Sequence, residues 1–404
     1  MRRCLALKIR EAVIVAAVRT PIGKRGGALS GWHPADLLGF TLRSLLDRAG
    51  VDPSLVDDVI GGCVTQTGEQ ACNVTRNAWV AAGLPQGVAA TTVDRQCGSS
   101  QQAAHFAAQG VMAGVYDLVI ACGVEVMSAV AVDASAADGA GPYSLAFVEA
   151  CDGQLMTPTE CAQHIADSGG FSRADMDAFA LESHRRAAKA ADTGAFAREI
   201  LPVPERRAEE EGIPAAYGPF VSADEGIRRD TSLDGLGALE PAGPDNPIAV
   251  PGITAGNSSP ASDGAGAVLI ASRRAAHRLG LVPRAVFKHF AVGGDSASRS
   301  FTAANPVTRK LFDRTGLTAA DMDAAEVSEA FAPVTMSWIH EFDADPAAVN
   351  PRGGAIALGH PAGASGVRLL VTLLHTLEDT GGRLGLQAMC EGGGLANVTV
   401  IERV

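Results

Sequence analysis

The sequence predicts an α/β protein with two similar halves, and three observations carry this prediction. First, 47% of the 404 residues are hydrophobic but only 5% are aromatic, so Ala, Val, Leu and Ile must form the core, with 46 glycines available for turns. Second, short apolar stretches alternate with stretches of helical spacing. Third, the later part of the chain repeats the order of the earlier part. The length also favours two or three domains over one small core.

The first half alternates strands and helices. "EAVIVAAVR" predicts a buried strand, and "HPADLLGFTLRSLLDRAG" has leucines at helical spacing, with Gly50 placed to end the helix. "VDDVIGGCV" predicts a strand, "GSSQQAAHFAAQGVMAG" a helix and "YDLVIACGVE" another strand.

The pattern becomes irregular from about Ala129 to Val250, where Pro- and Gly-rich stretches surround one polar helix, "SRADMDAFALESHRRAAKA". "GAGAVLIAS" then resumes the strand character. We therefore predict three parts, namely an N-terminal half at 1–128 and 251–280, an inserted loop domain at 129–250, and a C-terminal half at 281–404.

An internal repeat underlies the two halves. "AGVDPSLVDDVIGGCV" resembles "TGLTAADMDAAEVSEA", "CGSSQQAAHFAAQ" resembles "AGASGVRLLVTLL", and "YDLVIACG" resembles "LGLQAMCEG". The three matches align Gly50 with Gly316, Cys97 with Ala364, and Cys122 with Cys390, at offsets of 266, 267 and 268. Nearly constant offsets favour a duplication. The alternative is a chance likeness between the helix and strand patterns of an Ala-rich chain.

Composition and charge disfavour several classes of protein. A net charge of −12 argues against a nucleic-acid partner or an anionic membrane surface. The eight cysteines contain no C-x-x-C pair, so neither a metal site nor a disulfide framework is expected. Lys8, Arg10 and Glu11 interrupt the apolar N-terminal run, and no segment reaches the roughly 18 apolar residues of a membrane span. We expect a cytoplasmic protein that binds neither nucleic acid nor membrane.

Cys97, in "DRQCGSSQQA", stands just before a predicted helix. The unpaired N–H groups and the macrodipole of a helix N-terminus favour a thiolate, which predicts a lowered thiol pKa. The same N–H groups could bind an oxyanion formed on an acyl group attached to the sulfur. The alternative is a buried cysteine at an ordinary turn.

His360 lies in "NPRGGAIALGHPAGASGVRLL", at the start of the helix that corresponds to the one after Cys97. A pseudo-twofold axis would bring the two helix starts together and make a Cys–His pair, which activates a thiol nucleophile. In "MCEGGGLAN", Cys390 ends a strand as a candidate acid/base, and Gly392 can direct an N–H group into a cavity. Ser328, in "VSEAFAPV", also follows a strand but is a weak signal alone.

Taken together, these stretches resemble the thiolase family over nearly the whole chain. The resemblance rests on "VAAVRTPIGKRGGAL", "DRQCGSSQQA", "TAGNSSPASDGAGAVLI", "SEAFA", "GGAIALGHPAGASG" and "CEGGG", in the family's order. It implies the thiolase fold, in which two duplicated βαβαβαββ halves form five αβαβα layers around an inserted loop domain.

The resemblance also implies roles for the candidate residues. Cys97 would be the acylated nucleophile, His360 would take its proton, and Cys390 would act as the acid/base at the α-carbon or at the incoming CoA thiol. One oxyanion site would use the N–H groups of Cys97 and Gly392. The other would use the His with a water held by an Asn, but this chain has Ser328 at the Asn position.

Substrate contacts follow from the same resemblance. Arg228 would approach the nucleotide end of CoA and Ser259 the pantetheine, Met156 and Phe331 would line the tunnel, and Ala255 of "TAGNSS" would belong to the CoA and acyl site. A second departure, "LEPAG" where the family has an "RPAF" type of segment, puts some CoA contacts in doubt.

The leading hypothesis is an acyl-CoA C-acyltransferase that cleaves 3-ketoacyl-CoA with CoA, in the degradative direction. The alternatives are a biosynthetic acetyl-CoA C-acetyltransferase and a catalytically impaired thiolase-like CoA-binding protein. A ketosynthase is disfavoured because its site lacks a second cysteine like Cys390. No dinucleotide-binding or P-loop pattern is present, so no cofactor is expected, and coenzyme A is a substrate. The resemblance implies a homodimer or homotetramer.

Overall fold

The computed structural model describes residues 10–136, 139, 141–206, 218–242 and 250–404. Cys4, the rest of the N-terminal run to residue 9 and the last residue of "LEPAG" lie outside the described residues. The strands are β1 (Ala12–Arg19), β2 (Gly23–Lys24), β3 (Asp58–Gly62), β4 (Ala89–Val93), β5 (Leu118–Val126), β6 (Val203–Pro204), β7 (Phe220–Val221), β8 (Ser262–Ser272), β9 (Ala285–Gly294), β10 (Ala324–Val327), β11 (Leu384–Glu391) and β12 (Leu395–Arg403).

The helices that the sequence patterns predict are all present, and the structure adds several others to them. The first one ends at Gly50, which has the left-handed φ of 64° typical of a glycine helix end. The helices are α1 (Pro34–Ala49), α2 (Val74–Ala81), α3 (Ser99–Ala113), α4 (Leu145–Ala150), α5 (Pro158–Gly169), α6 (Arg173–Asp192), α7 (Leu233–Gly237), α8 (Arg273–Arg278), α9 (Ala304–Thr315), α10 (Ala332–Glu341), α11 (Ala355–Leu358) and α12 (Ala362–Thr380).

One continuous sheet runs through both halves, in the order β10-β11-β12-β9-β1-β8-β5-β3-β4, with β2 paired to β8. The halves join where β1 pairs antiparallel with β9, at Val13 opposite Val286. In the first half β3 is parallel to β5, and β5 is antiparallel to β8. In the second half β10 is parallel to β11, and β11 is antiparallel to β12. The two halves therefore repeat one topology.

The repeated sequence stretches occupy equivalent places in that topology. The first pair contributes β3 and β10, the second α3 and α12, and the third β5 and β11. The predicted duplication is confirmed. The domain limits at 128, 250 and 280 remain predictions.

Three hydrophobic clusters fill the spaces between the layers of helices and sheet. One packs α1 and α2 against the outer face of the first-half sheet. Another packs α3 and α12 between the two half-sheets, and a third packs α9 and α10 against the outer face of the second half. The order helix, sheet, helix, sheet, helix is the predicted five-layer arrangement.

Glycines let α3 and α12 pack unusually closely at the centre. A Cβ added to Gly366 of α12 would overlap the backbone of Gln101 in α3, and one added to Gly62 of β3 would overlap the backbone of Ser100, so α3 also packs closely on β3. The Val367 N–H also donates to Ser100 Oγ across the helix pair, at 2.9 Å. The first turns of the two helices are therefore in direct backbone contact.

The segment between β5 and β8 carries α4 to α7 and the β6–β7 pair. Fully buried Arg19 of β1 anchors it through ion pairs to Glu199 at 2.8 Å and Asp224 at 2.7 Å. Among the helices in the described part of the chain, none is both long and apolar enough to cross a bilayer.

Gly366→Ala tests the close contact. Alanine normally stabilises a helix relative to glycine, by about 1 kcal/mol. Here its methyl group overlaps Gln101, so we expect a loss of roughly 1–3 kcal/mol in unfolding free energy, measured by denaturant titration. Gly87→Ala, where an added Cβ meets no atom within 4 Å, should leave the stability nearly unchanged. A Gly366→Ala protein as stable as the wild type would contradict the packing described.

Candidate active site

Cys97 lies in a tight turn between β4 and α3. Gln96 before it has a left-handed φ of 49°, and the Gln96 N–H donates to Asp94 at 2.7 Å. Ser99 closes the turn, because its hydroxyl donates to the Gln96 carbonyl at 2.6 Å and accepts from the Arg95 N–H at 2.9 Å. Gly98 begins the helix without any side-chain cap. Cys97 is thus held at an open helix N-terminus, as the sequence predicts.

The direction of the Cys97 pKa shift is opposite to the sequence-based prediction. Burial raises the pKa of the thiol, and Cys390 and Glu391 raise it further. The N–H groups of Gly392 and of Cys97 itself lower the pKa, but not enough to reverse it. A thiolate here would lose its hydration close to another thiol and a carboxyl group, which outweighs the helix N-terminus. Cys97 therefore rests as a thiol and needs a base.

Gly392 lies next to that thiol. Its N–H group and that of Cys97 each lower the pKa of the Cys97 thiol, so both donors lie within reach of the sulfur. Two backbone donors that converge on one point are suited to bind a negative oxygen on an acyl group attached there.

His360 is a neutral imidazole with one nitrogen available. Its Nδ1 lies 2.9 Å from Ser365 Oγ, and that hydroxyl donates its single proton to the Pro361 carbonyl, also at 2.9 Å. Ser365 must then accept from Nδ1–H, so Nε2 is the unprotonated nitrogen. Burial lowers the pKa of His360 to about 4. Nε2 is buried without a hydrogen-bond partner among the described residues, which suits a proton acceptor.

Cys390 and Ser328 come together because β10 and β11 are parallel neighbours whose carboxyl ends meet. Burial raises the pKa of Cys390 to about 12, and the Ser328 hydroxyl facing it lowers that pKa. Ser328 Oγ is buried and has no partner at normal hydrogen-bond distance within the described chain. It can therefore hold a water or a substrate oxygen.

Two carboxylates that sequence reasoning left without a role support these elements. Glu125 of β5 accepts N–H bonds from Val64 at 2.9 Å and from Gly363 at 2.8 Å, which joins the first half to the start of α12. Glu329 accepts from Ser183 at 2.8 Å and from the Ile356 N–H at 3.1 Å, which joins the Ser328 turn to α11. An acidic residue at the end of an apolar strand is the signal that could have identified both.

Predicted substrate contacts fall into two groups. Ser259 donates to the Ala330 carbonyl at 3.0 Å, beside the Ser328 turn. Met156 and Phe331, both partly buried, pack against the hydrophobic cluster that contains Cys390. These three therefore lie with the elements of the second half that carry Ser328 and Cys390.

Arg228 and Ala255 are exposed, and no described contact joins either to the thiols. Arg228 lines a surface cleft of about 520 Å³ whose basic members are Arg185, Lys189, Arg228 and Arg229. The structure therefore separates a buried reactive centre from a cationic cleft.

Residues 12–274 match the family described as "Thiolase, N-terminal domain", and residues 281–403 match "Thiolase, C-terminal domain". A steroid 3-ketoacyl-CoA thiolase of Mycobacterium tuberculosis is 46% identical over 98% of this chain and 94% of its own length. A beta-ketoadipyl-CoA thiolase of Pseudomonas putida and a 3-ketoacyl-CoA thiolase of Bacillus subtilis are each 39% identical over 98% of this chain and 100% of theirs. The crystal structure of the Bacillus anthracis acetyl-CoA acetyltransferase superposes with a TM-score of 0.85 at 32% identity, over 99% of this chain and 100% of that one.

Ser365→Ala tests how the imidazole is oriented. Without the hydroxyl, Nδ1–H loses its acceptor, both tautomers become populated, and transfer of the Cys97 proton to Nε2 should slow about tenfold or more. Nitrogen-15 NMR of His360 reads the tautomer, and stopped-flow acylation of Cys97 by acetyl-CoA reads the rate. Thr376→Val is the matched control, because it removes from the same helix a hydroxyl that has no hydrogen-bond partner in the described part of the chain. Unchanged NMR and rate in Ser365→Ala would refute the assignment.

Proposed function

This chain belongs to the thiolase family of acyltransferases, as its motifs predict, and from that premise we propose that it cleaves 3-ketoacyl-CoA with free CoA through an acyl-Cys97 intermediate. The arrangement that carries the proposal is a thiol at the start of a helix that has no side-chain cap, with Cys390 and the Gly392 N–H group beside it. An acyl-thioester mechanism requires a nucleophile, an oxyanion site and an acid/base, and these groups supply them.

In the first half-reaction, the Cys97 proton passes to His360 Nε2 and the sulfur attacks the C3 carbonyl of the substrate. The N–H groups of Cys97 and Gly392 bind the resulting oxyanion. The C2–C3 bond then breaks, the acyl group stays on Cys97, and acetyl-CoA leaves as its enolate. Since Nε2 now carries the transferred proton, it can donate to the enolate oxygen, together with a water at Ser328. The Cys390 thiol protonates C2.

In the second half-reaction, the Cys390 thiolate takes the proton of the incoming CoA thiol. The CoA sulfur attacks the acyl-Cys97 thioester, the tetrahedral oxyanion again binds to the two N–H groups, and Cys97 leaves with the proton from His360. Burial makes the Cys390 thiolate a strong base, while the Ser328 hydroxyl keeps its pKa from rising further. The products are a shortened acyl-CoA and acetyl-CoA, and both thiols are restored.

The substrate proposal follows from the two sites. The basic cleft at Arg228 suits the phosphates of the CoA nucleotide. We assign Ser259, Met156 and Phe331 to the pantetheine and acyl chain, which is supported by the Ser259 bond to Ala330 and by the packing of the other two against the cluster that contains Cys390. The names of the relatives, which act on steroid, beta-ketoadipyl and other 3-ketoacyl-CoA substrates, favour the degradative direction. We further propose a homodimer or homotetramer that uses no cofactor.

Trapping the intermediate tests the function. After incubation with a 3-ketoacyl-CoA, mass spectrometry should find the acyl mass on the Cys97 peptide, and Cys97→Ser should lose thiolysis by more than about 10³-fold. Cys72→Ser, a matched change at an exposed cysteine, should keep the wild-type rate. Absence of the adduct in a protein that still binds CoA would favour the thiolase-like binding protein instead.

Initial rates separate the two enzymatic directions. A panel of 3-ketoacyl-CoAs, from acetoacetyl-CoA to bulky ring-bearing ones, should give the higher kcat/KM for longer or bulkier chains if the enzyme is degradative. Preference for acetoacetyl-CoA, with efficient condensation of acetyl-CoA, would support the biosynthetic alternative.

Ser328→Ala tests the enolate site. Loss of the hydroxyl should slow C2–C3 cleavage about tenfold, because the enolate loses one hydrogen bond. Exchange of the acetyl group between acetyl-CoA and labelled CoA forms no enolate, so it should stay within about threefold of wild type. Equal losses in both assays would show that Ser328 acts through the basicity of Cys390 or through the structure, and not at the enolate.

A further inference from the structure

Glu391 is a buried carboxyl group that the proposed mechanism does not use. It follows Cys390 at the end of β11, and its side chain is fully buried. Neither of its carboxyl oxygens has a hydrogen-bond partner among the described residues. A buried carboxyl without partners is costly to keep ionised, so a buried glutamate here is more stable in its neutral form.

The Glu391 carboxyl lies against the turn that carries the nucleophile. A Cβ added to Gly98 would overlap its Oε1 atom, so the group touches the residue directly after Cys97. The Gly98 carbonyl is in turn held by Asn397 Nδ2, from the paired strand β12, at 3.4 Å. Glycine at position 98 thus gives the carboxyl group room beside the turn.

Charged and titratable groups around Glu391 come from three elements. Asp94 and Arg95, in the turn before α3, change the pKa of Glu391 in opposite directions. The Glu391 charge in turn raises the pKa of Cys97, in the same turn, and of Cys390, on its own strand. His105 of α3 is buried beneath the same turn, and burial lowers its pKa to about 3, so it stays neutral. No cation of the described chain lies within ion-pairing distance of the Glu391 carboxyl.

We propose that Glu391 controls the reaction through Cys97: while its carboxyl is protonated the nucleophile can form a thiolate, and when the carboxyl ionises the thiolate is repelled and acylation slows. The geometry supports this coupling, since the fully buried carboxyl touches Gly98, the residue directly after half-buried Cys97. Burial raises the pKa of Glu391 to about 8, with Asp94 adding to the shift and Arg95 opposing it. The carboxyl is therefore neutral at neutral pH and ionises within the range in which CoA thiols also ionise.

The test reads the Cys97 thiol directly. Iodoacetamide alkylation of Cys97, followed by mass spectrometry of its peptide, is compared between wild type and Glu391→Gln at about pH 6.5 and about pH 9. With Glu391 neutral at the lower pH, the two rates should agree within about twofold. At the higher pH the Gln variant should react about tenfold faster, because a like charge beside a titrating group shifts its pKa by about one unit or more.

A charge-matched control is Glu402→Gln, which removes a carboxylate from the opposite end of the β11–β12 pair. Its alkylation rates should follow the wild type at both pH values. The proposal would be overturned if the ratio of the Glu391→Gln alkylation rate to the wild-type rate were the same at both pH values. A constant ratio different from one would indicate a structural effect of the substitution, and a constant ratio of one would indicate no effect.

The wild type alone provides a second test that does not depend on the folding of a variant. In a plot of the logarithm of the alkylation rate against pH, ionisation of the Cys97 thiol alone gives a slope of one. We expect a smaller slope near pH 8, where Glu391 ionises, and a slope of one through that region would also overturn the proposal. The predicted effect on acylation rests on the proposed function, but the alkylation measurements do not. If the protein shows no thiolase activity but the alkylation ratio still depends on pH, only the proposed function is refuted, and the coupling of Glu391 to Cys97 stands.

Discussion

The close packing of α3 against α12 is the constraint on which the remaining structure depends. Each helix begins two residues after a reactive residue, at Ser99 after Cys97 for α3 and at Ala362 after His360 for α12. Because glycines such as Gly366 let the first turns touch, the starts of two helices from opposite halves of a duplicated chain are brought to one junction. The five layers, the β1–β9 join and the Glu125 bonds all hold this junction in place. The family's chemistry is thus a consequence of duplication followed by tight pairing of equivalent helices.

Burial at that junction keeps the resting site uncharged. The pKa values of Cys97 and Cys390 are raised, that of His360 is lowered, and that of Glu391 is raised to about 8. At neutral pH all four groups are therefore neutral, although each can titrate. Charge is created only when a proton moves between these groups. An oxyanion or enolate that forms in the site therefore faces hydrogen-bond donors and no neighbouring negative charge that would repel it. The same burial explains why one extra negative charge at Glu391 would matter so much.

Much of the fold could be predicted from the sequence because it rests on local and periodic signals. The end of α1 at Gly50, the strand of "VDDVIGGCV" and the internal repeat all depend on nearby residues or spacing. The sign of the Cys97 pKa shift could not be predicted, since it depends on burial and on two groups about 290 residues away in the chain. The Ser365 bond to His360 and the orphaned carboxyl of Glu391 also appear only once side chains are placed.

The central claim is that one pocket, formed where the halves meet, stabilises an acyl group on Cys97. The most direct measurement is a crystal structure of the protein frozen after brief exposure to acetyl-CoA. We expect the thioester oxygen within hydrogen-bond distance of the backbone nitrogens of Cys97 and Gly392, with His360 Nε2 and Cys390 facing the acyl group. An acyl group on Cys97 whose oxygen points away from both nitrogens, or one attached to Cys390 instead, would contradict the account.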